Sequence, residues 1–183
     1  MLTATQGKAL VKLARKAIES VFSKKKLDYA KEKKEFSKKL GVFVTIHKNK
    51  ELRGCVGFPY PVKPLAEAVV EVAKSAAFSD GRFPPLVESE LKKIDMEISV
   101  LTEPELIQAE HHELPEKIKI GTDGLIVQFA GFSGLLLPQV AKEQKWNAVD
   151  FLRGVCVKAG LPAETWLNPA CKMFKFQAQI FNE

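Results

Sequence analysis

Residues 41–58, GVFVTIHKNKELRGCVGF, narrow the range of folds more than any other stretch of this chain. Two runs rich in strand-forming residues flank a short polar link. In the first run Val42, Val44 and Ile46 alternate with Phe43, Thr45 and His47, the two-residue period of a strand with one face on a core. The pattern reads as a β-hairpin. Its register decides which side chains meet. A three-residue loop of Asn49, Lys50 and Glu51 pairs His47 with Arg53 and Thr45 with Cys55, which places all four on one face. A two-residue loop of Asn49 and Lys50 pairs His47 with Leu52 instead and sends His47 to the face opposite Cys55. One residue of slip turns every side chain over, and the apolar alternation favours the three-residue loop.

Helical periods surround this hairpin. Thr3 or Thr5 can cap a helix in which Leu10, Leu13, Ala14, Ala17, Ile18, Val21 and Phe22 recur at three and four. Pro64 opens a second helix with the stripe Leu65, Val69, Val72, Ala73 and Ala76. A proline-rich loop, SDGRFPP, and a short helical segment over 88–93 follow. Met96, Ile98 and Val100 then alternate along a half-buried strand over 95–101. Residues 124–130 and 134–137 read as another hairpin turned by GFS. Pro138 starts a helical stretch, Asn147 caps the helix that Gly160 ends, and PAETW supplies one more turn. CKMFKFQAQIF closes the chain as a strand, with Met173, Phe174, Phe176 and Ile180 expected in the core. This is an α+β chain, an antiparallel sheet of about five or six strands with flanking helices, and not a doubly wound nucleotide fold. Its 183 residues suit one domain over 1–183, with one lobe or two and no boundary visible in the sequence.

No apolar run approaches the roughly 18 residues of a membrane span, and the first residues lack the layout of a signal peptide. A soluble, cytoplasmic protein is expected. Cys55, Cys156 and Cys171 are odd in number and far apart, which argues against a disulfide framework and paired zinc ligands and for free thiols. The net charge of +6 is nearly all local, because eight lysines and three acids between Lys24 and Lys39 give +5. Lysine without interleaved arginine or stacking aromatics is weak evidence for nucleic acid, so a solvated, mobile connector is the expected reading.

Chemistry is concentrated at LRGCVG. With the favoured register Cys55 has an arginine, Arg53, and an imidazole, His47, on its own face, and both favour a thiolate. A thiol nucleophile with His47 as base competes with the plainer reading of Cys55 as packing in a sheet, which is preferred. Gly54 and Gly57 fit a bulge or a close backbone approach better than a phosphate cradle, since no helix start follows them. In SDGRFPP, Asp80 and Arg82 are placed to pair across a turn, with ligand contact as the alternative. His111 and His112 are adjacent and lack the i, i+4 spacing of helical metal ligands, so neither a metal nor a cofactor is expected. Trp146 and Trp166 are expected as core or edge aromatics.

LRGCVG, FSDGRFPPL, GLLLPQVA and FLRGVCVKAGL, in that order, resemble the AMMECR-one domain family over essentially the whole chain. Arg53, Gly54, Cys55 and Gly57 fall on the signature hexapeptide, and Asp80, Arg82, Phe83, Pro138 and Gln139 on the other motifs. The resemblance implies two unequal lobes, with a groove between them as the ligand site, and no particular reaction. It also implies association with Memo-like and radical SAM proteins in a modification pathway, although this chain has no CxxxCxxC cluster motif of its own. A binding or accessory module near LRGCVG is therefore the first functional expectation. An enzyme with Cys55 as nucleophile is the second, and RNA or nucleotide binding through the lysine segment the third.

Overall fold

The computed structural model describes residues 2–183. Helix α1 (Ala4–Ser23) begins where Thr3 leaves the helix and accepts the Gln6 N–H at 3.2 Å, while the Gln6 side chain accepts the Thr3 N–H at 3.1 Å. This reciprocal pair satisfies two of the donors a helix start leaves open. Leu10, Leu13, Ala14, Ala17 and Ile18 form its buried stripe. Lys24, in the left-handed conformation, ends it. Helix α2 (Ala30–Glu35) follows within the lysine-rich segment, and the expected mobile connector is instead a docked turn of helix. Phe36 is buried beyond it, the carbonyls of Phe36 and Lys38 accept the N–H groups of Ala66 and Leu65, and Lys33 pairs with Glu67 at 3.3 Å.

Strands β1 (Gly41–Lys48) and β2 (Glu51–Phe58) form the hairpin, helix α3 (Leu65–Phe78) packs on it, and β3 (Ile94–Leu101) follows a 3₁₀ segment over Glu88–Lys93. The order is β2-β1-β3, antiparallel throughout. Val42, Val44 and Ile46 with Met96, Ile98 and Val100 meet α1 and α3 across one core. Burial of each aliphatic side chain is worth about 1.5–3 kcal/mol, so this face outweighs the roughly 1–2 kcal/mol per residue of a left-handed turn residue by a wide margin. This unit runs through Leu101 and includes Gln179–Glu183. Those last residues return to α1: the Gln179 amide exchanges hydrogen bonds with the Leu2 backbone, Phe181 lies where a Cβ on Gly7 would be, and Glu183 pairs with Arg15.

The second unit, Thr102–Ala178, contains β4 (Glu105–Leu106), β5 (Asp123–Phe129), β6 (Phe132–Leu136) and most of β7 (Lys172–Asn182). Here β5 lies between β6 and β7, and β4 adds to β7. Ala130 and Gly131, both at positive φ, turn the β5–β6 hairpin, so the turn is tighter than the expected GFS and Phe132 and Ser133 belong to the strand. Helices α4 (Pro138–Glu143) and α5 (Ala148–Lys158) follow, the latter capped by Asn147 and Asp150 in a second reciprocal pair. Phe151, Leu152, Val155 and Cys156 join Leu125, Val127, Met173 and Trp166 in this unit's core. Of the strand residues expected there, Phe174 is only half-buried, and Ile180 is exposed in the part of β7 that belongs to the first unit. With seven strands among the described residues and helices set against antiparallel sheet, the chain is α+β.

Candidate functional site

The hairpin register is a hybrid of the two loops the sequence allows. Asn49 and Lys50, with φ of 53° and 67°, make a two-residue turn of the type whose twist matches paired strands, so Lys48 faces Glu51 and His47 faces Leu52. A bulge follows, Arg53 has no opposing residue, and Ile46 faces Gly54 while Thr45 faces Cys55. The expected His47–Arg53 pair is thus absent and the expected Thr45–Cys55 pair is present. Because β1 keeps unbroken register with β3, with Thr45 opposite Glu97 and His47 opposite Asp95, Thr45 and His47 remain on one face. Arg53 leaves that face. It donates to both carboxylate oxygens of Glu90 at 3.1 Å, the same carboxylate that takes the Lys48 ammonium at 2.8 Å, and Lys48 continues the row of Val42, Val44 and Ile46. The buried Glu90 also accepts the Val87 N–H, and its carboxyl is held down to about 2, first by the Arg53 hydrogen bonds, against the upward push of burial, and then by Lys48.

β2 is an edge strand, and at Cys55 its free edge is covered by a loop. Asp80, Gly81, Arg82 and Phe83 form a turn closed by the Phe83 N–H on the Asp80 carbonyl. The Asp80 carboxylate accepts the Arg82 N–H at 3.2 Å, two guanidinium bonds at 2.9 and 2.7 Å, and the Cys55 N–H at 2.9 Å. Arg82 in turn donates to the Cys55 carbonyl at 3.1 Å. One acid and one base thereby stand in for a missing neighbouring strand. The Asp80 carboxyl is pushed well below the usual carboxylate range, mainly by Arg82 and, against burial, by these backbone donors. The two partners differ in exposure, with Asp80 at 7% and Arg82 at 53% of side-chain area. A charge-assisted bond to buried backbone is worth about 1.5–3 kcal/mol and an exposed ion pair about 0–1, so Asp80 holds the edge and Arg82 presents a solvated guanidinium beside it. Phe83 lies under that guanidinium, 5.5 Å from ring centre to Cζ.

The Cys55 amide and carbonyl point away from β1, as in the close, non-hydrogen-bonded pairs of an antiparallel ladder. That spacing lets the Thr45 hydroxyl donate to the Cys55 sulfur at 3.3 Å. The cation beside this thiol is Arg82, whose own pKa is raised first by Asp80 and, more weakly, by Cys55; it is not Arg53. Cys55 is half-buried, whereas Cys156 and Cys171 are buried and their thiols are pushed up by desolvation, Cys171 to about 11.

Both glycines of the hexapeptide answer to packing. A Cβ on Gly54 would lie 2.1 Å from the Ala76 carbonyl oxygen of α3, and one on Gly57 would meet the Phe43 ring and the Val42 carbonyl. Gln139 and Pro138 are in the second unit on α4, where the Gln139 Oε1 is buried without a hydrogen-bond partner. His111 reaches the Cys171 carbonyl with Nε2 at 3.1 Å from a 3₁₀ segment over His111–Lys117, and His112 is exposed. Trp166 is core, and Trp146 lies against Gly154 of α5. Glu90 is the residue sequence reasoning missed: in ESELKK nothing separates it from the exposed Glu88.

The model of the AMMECR1 family matches residues 11–181. Protein MK0488 of Methanopyrus kandleri is 48% identical over 187 residues, covering 100% of this chain and 90% of that protein. Protein MJ0810 of Methanocaldococcus jannaschii is 46% identical over 186 residues, covering 100% and 92%. The crystal structure of uncharacterized protein PH0010 from Pyrococcus horikoshii aligns with a TM-score of 0.94 at 44% identity, over 100% of this chain and 93% of that one.

Proposed function

The chain belongs to the AMMECR1 family, and from that premise we propose that it is a binding or accessory module whose working surface is the guarded edge of β2. The observation that carries this reading is the division of labour between Asp80 and Arg82. Asp80 is engaged in holding Cys55 in place, while the guanidinium of Arg82, half in solvent and stacked on Phe83, keeps free donors for an anionic group on a partner. Arg53 is engaged by Glu90 and serves the geometry of the bulge. A Memo-like or radical SAM protein in a modification pathway is the partner class proposed for this surface. Capture of such a partner by the full chain tests it. Arg82→Ala should weaken capture about tenfold or more, as loss of an arginine hot spot does, and Cys55→Ser should leave it intact. Equal capture by the parent and Arg82→Ala would remove the surface from consideration.

One observation favours an enzyme instead. Cys55 is the only one of the three thiols that is not fully buried, and Arg82 stands beside it. Against this, the partner of its sulfur is a hydroxyl that donates rather than a base that withdraws the proton. Loss of a product-forming activity in Cys55→Ser, with partner capture retained, would move the reading to that side.

A further inference from the structure

At the corner where α1 runs towards α2, a cavity of about 510 Å³ is lined by Lys24, Lys25, Lys26 and Lys74, with Tyr29 beside them and an apolar floor from Leu27 and its neighbours. No carboxylate lines it. The acids of α3 that could reach across are engaged elsewhere, Glu67 by Lys33 and Glu71 by Lys63. Among the described residues none of the four lining lysines forms an ion pair. Lys33, Lys48 and Lys63 of this unit each meet a carboxylate, whereas the four lining lysines gather at one concavity without one.

The plain structural explanation is that cations collect at a helix C-terminus. It accounts for part of the cluster only. The end of α1 offers about half a negative charge. Four ammonium groups exceed that several-fold, and Lys74 comes from a different helix. The surplus concentrates positive potential around an open concavity, an arrangement that draws a multivalent anion out of solution. The volume falls within the roughly 300–1,000 Å³ of small-molecule sites. We propose that this pocket is a second binding site, separate from the β2 edge, for a small polyphosphate anion, with the lysines on successive phosphates. A free linear polyphosphate and a nucleoside triphosphate share this chemistry.

Calorimetric titration of the full chain with sodium tripolyphosphate, with ATP and with AMP tests the proposal. Saturable binding of tripolyphosphate is expected, weakened about tenfold or more by the combined change Lys25→Ser, Lys26→Ser, Lys74→Ser, because the site acts through its summed charge. Lys8→Ser, Lys12→Ser, Lys16→Ser removes the same charge from the exposed flank of α1 and should change affinity less than about twofold if location rather than net charge matters. ATP binding tighter than tripolyphosphate assigns the site to nucleotides; ATP no tighter assigns it to the bare phosphate chain; AMP should bind weakly in either case. Lysine acetylation of the unsubstituted protein supplies a readout that needs no variant: tripolyphosphate should shield Lys24, Lys25, Lys26 and Lys74 and leave Lys8 and Lys12 reactive. Absence of binding, equal losses in the two triple variants, an unchanged acetylation pattern, or tighter binding of a single-stranded RNA than of tripolyphosphate each overturns it.

Discussion

Glu90→Gln isolates the charge that ties the bulge of β2 to the rest of its unit. The substitution keeps the shape of the side chain and an acceptor for the Val87 N–H, but it removes the negative charge shared by Arg53 and Lys48. The carboxyl falls from 4.5 to about 2 on folding, driven first by Arg53. At about 1.4 kcal/mol for each tenfold change in proton affinity, that is about 3 kcal/mol of stability. The figure agrees with the roughly 3–5 kcal/mol lost when one partner of a buried ion pair is removed. The folded value lies below the unfolded one, so the contribution is complete above about pH 4.5 and disappears as the pH falls through about 2. Urea denaturation at pH 7, 5, 4 and 3 reads this directly. At pH 7 the variant should unfold at a midpoint about 1–3 M lower, given about 1–3 kcal/mol per molar of urea. The gap should narrow steadily as the pH drops, because the parent loses what the variant never had. Glu88→Gln, two residues away and exposed, should stay within about 0.5 kcal/mol at every pH. A gap as wide at pH 3 as at pH 7, or none at pH 7, refutes the assignment of the charge.

Gly54→Ala should destabilise by about 3 kcal/mol, near the top of the range for overpacking, because the new Cβ meets a backbone oxygen at 2.1 Å and neither the strand nor α3 can turn it aside. Gly81→Ala, open to solvent, is its control, and thermal melting of the two variants compares them. Asp80→Ala leaves the Cys55 N–H without its acceptor, costs about 1–3 kcal/mol, and should speed alkylation of Cys55 while Cys156 and Cys171 stay slow; mass spectrometry of the labelled thiols follows all three. Lys50→Gly relieves a side chain held at φ 67° and should stabilise the chain by about 1 kcal/mol in the same urea assay.

What could be read from the sequence was local. The reciprocal caps at Thr3–Gln6 and Asn147–Asp150 act within three residues, and the apolar stripes of α1 and α3 repeat at the period of a helix, so these elements stand where their own residues put them. The strand alternation in 41–48 was equally direct. The bulge was not, because it depends on Glu90, 37 positions beyond Arg53, and on the fit of Gly54 under α3. The pairing of Asp80 with Arg82 was legible as a turn contact, but its use as a substitute strand for Cys55 spans 25 positions and leaves no local signature. The lysine segment misled for a related reason. A six-residue helix anchored by one phenylalanine has too few apolar repeats to show a period, and its fixed position comes from Glu67 and the α3 amides.

The return of Gln179–Glu183 to α1 has a consequence for how the chain acquires its structure. For the first unit, all of Thr102–Ala178 is a single excursion between Leu101 and the returning segment Gln179–Glu183. Closing such an excursion carries an entropic penalty that grows only with the logarithm of its length, so a long insertion costs little more than a short one. It does impose an order of events. The slot at Gly7, the amide exchange with Leu2 and the partner of Arg15 are filled by residues synthesised after the second unit, so during translation α1 waits with an unfilled groove until that unit has emerged. A stalled or clipped product ending before Gln179 would carry that groove open, as a ready target for chaperones and proteases.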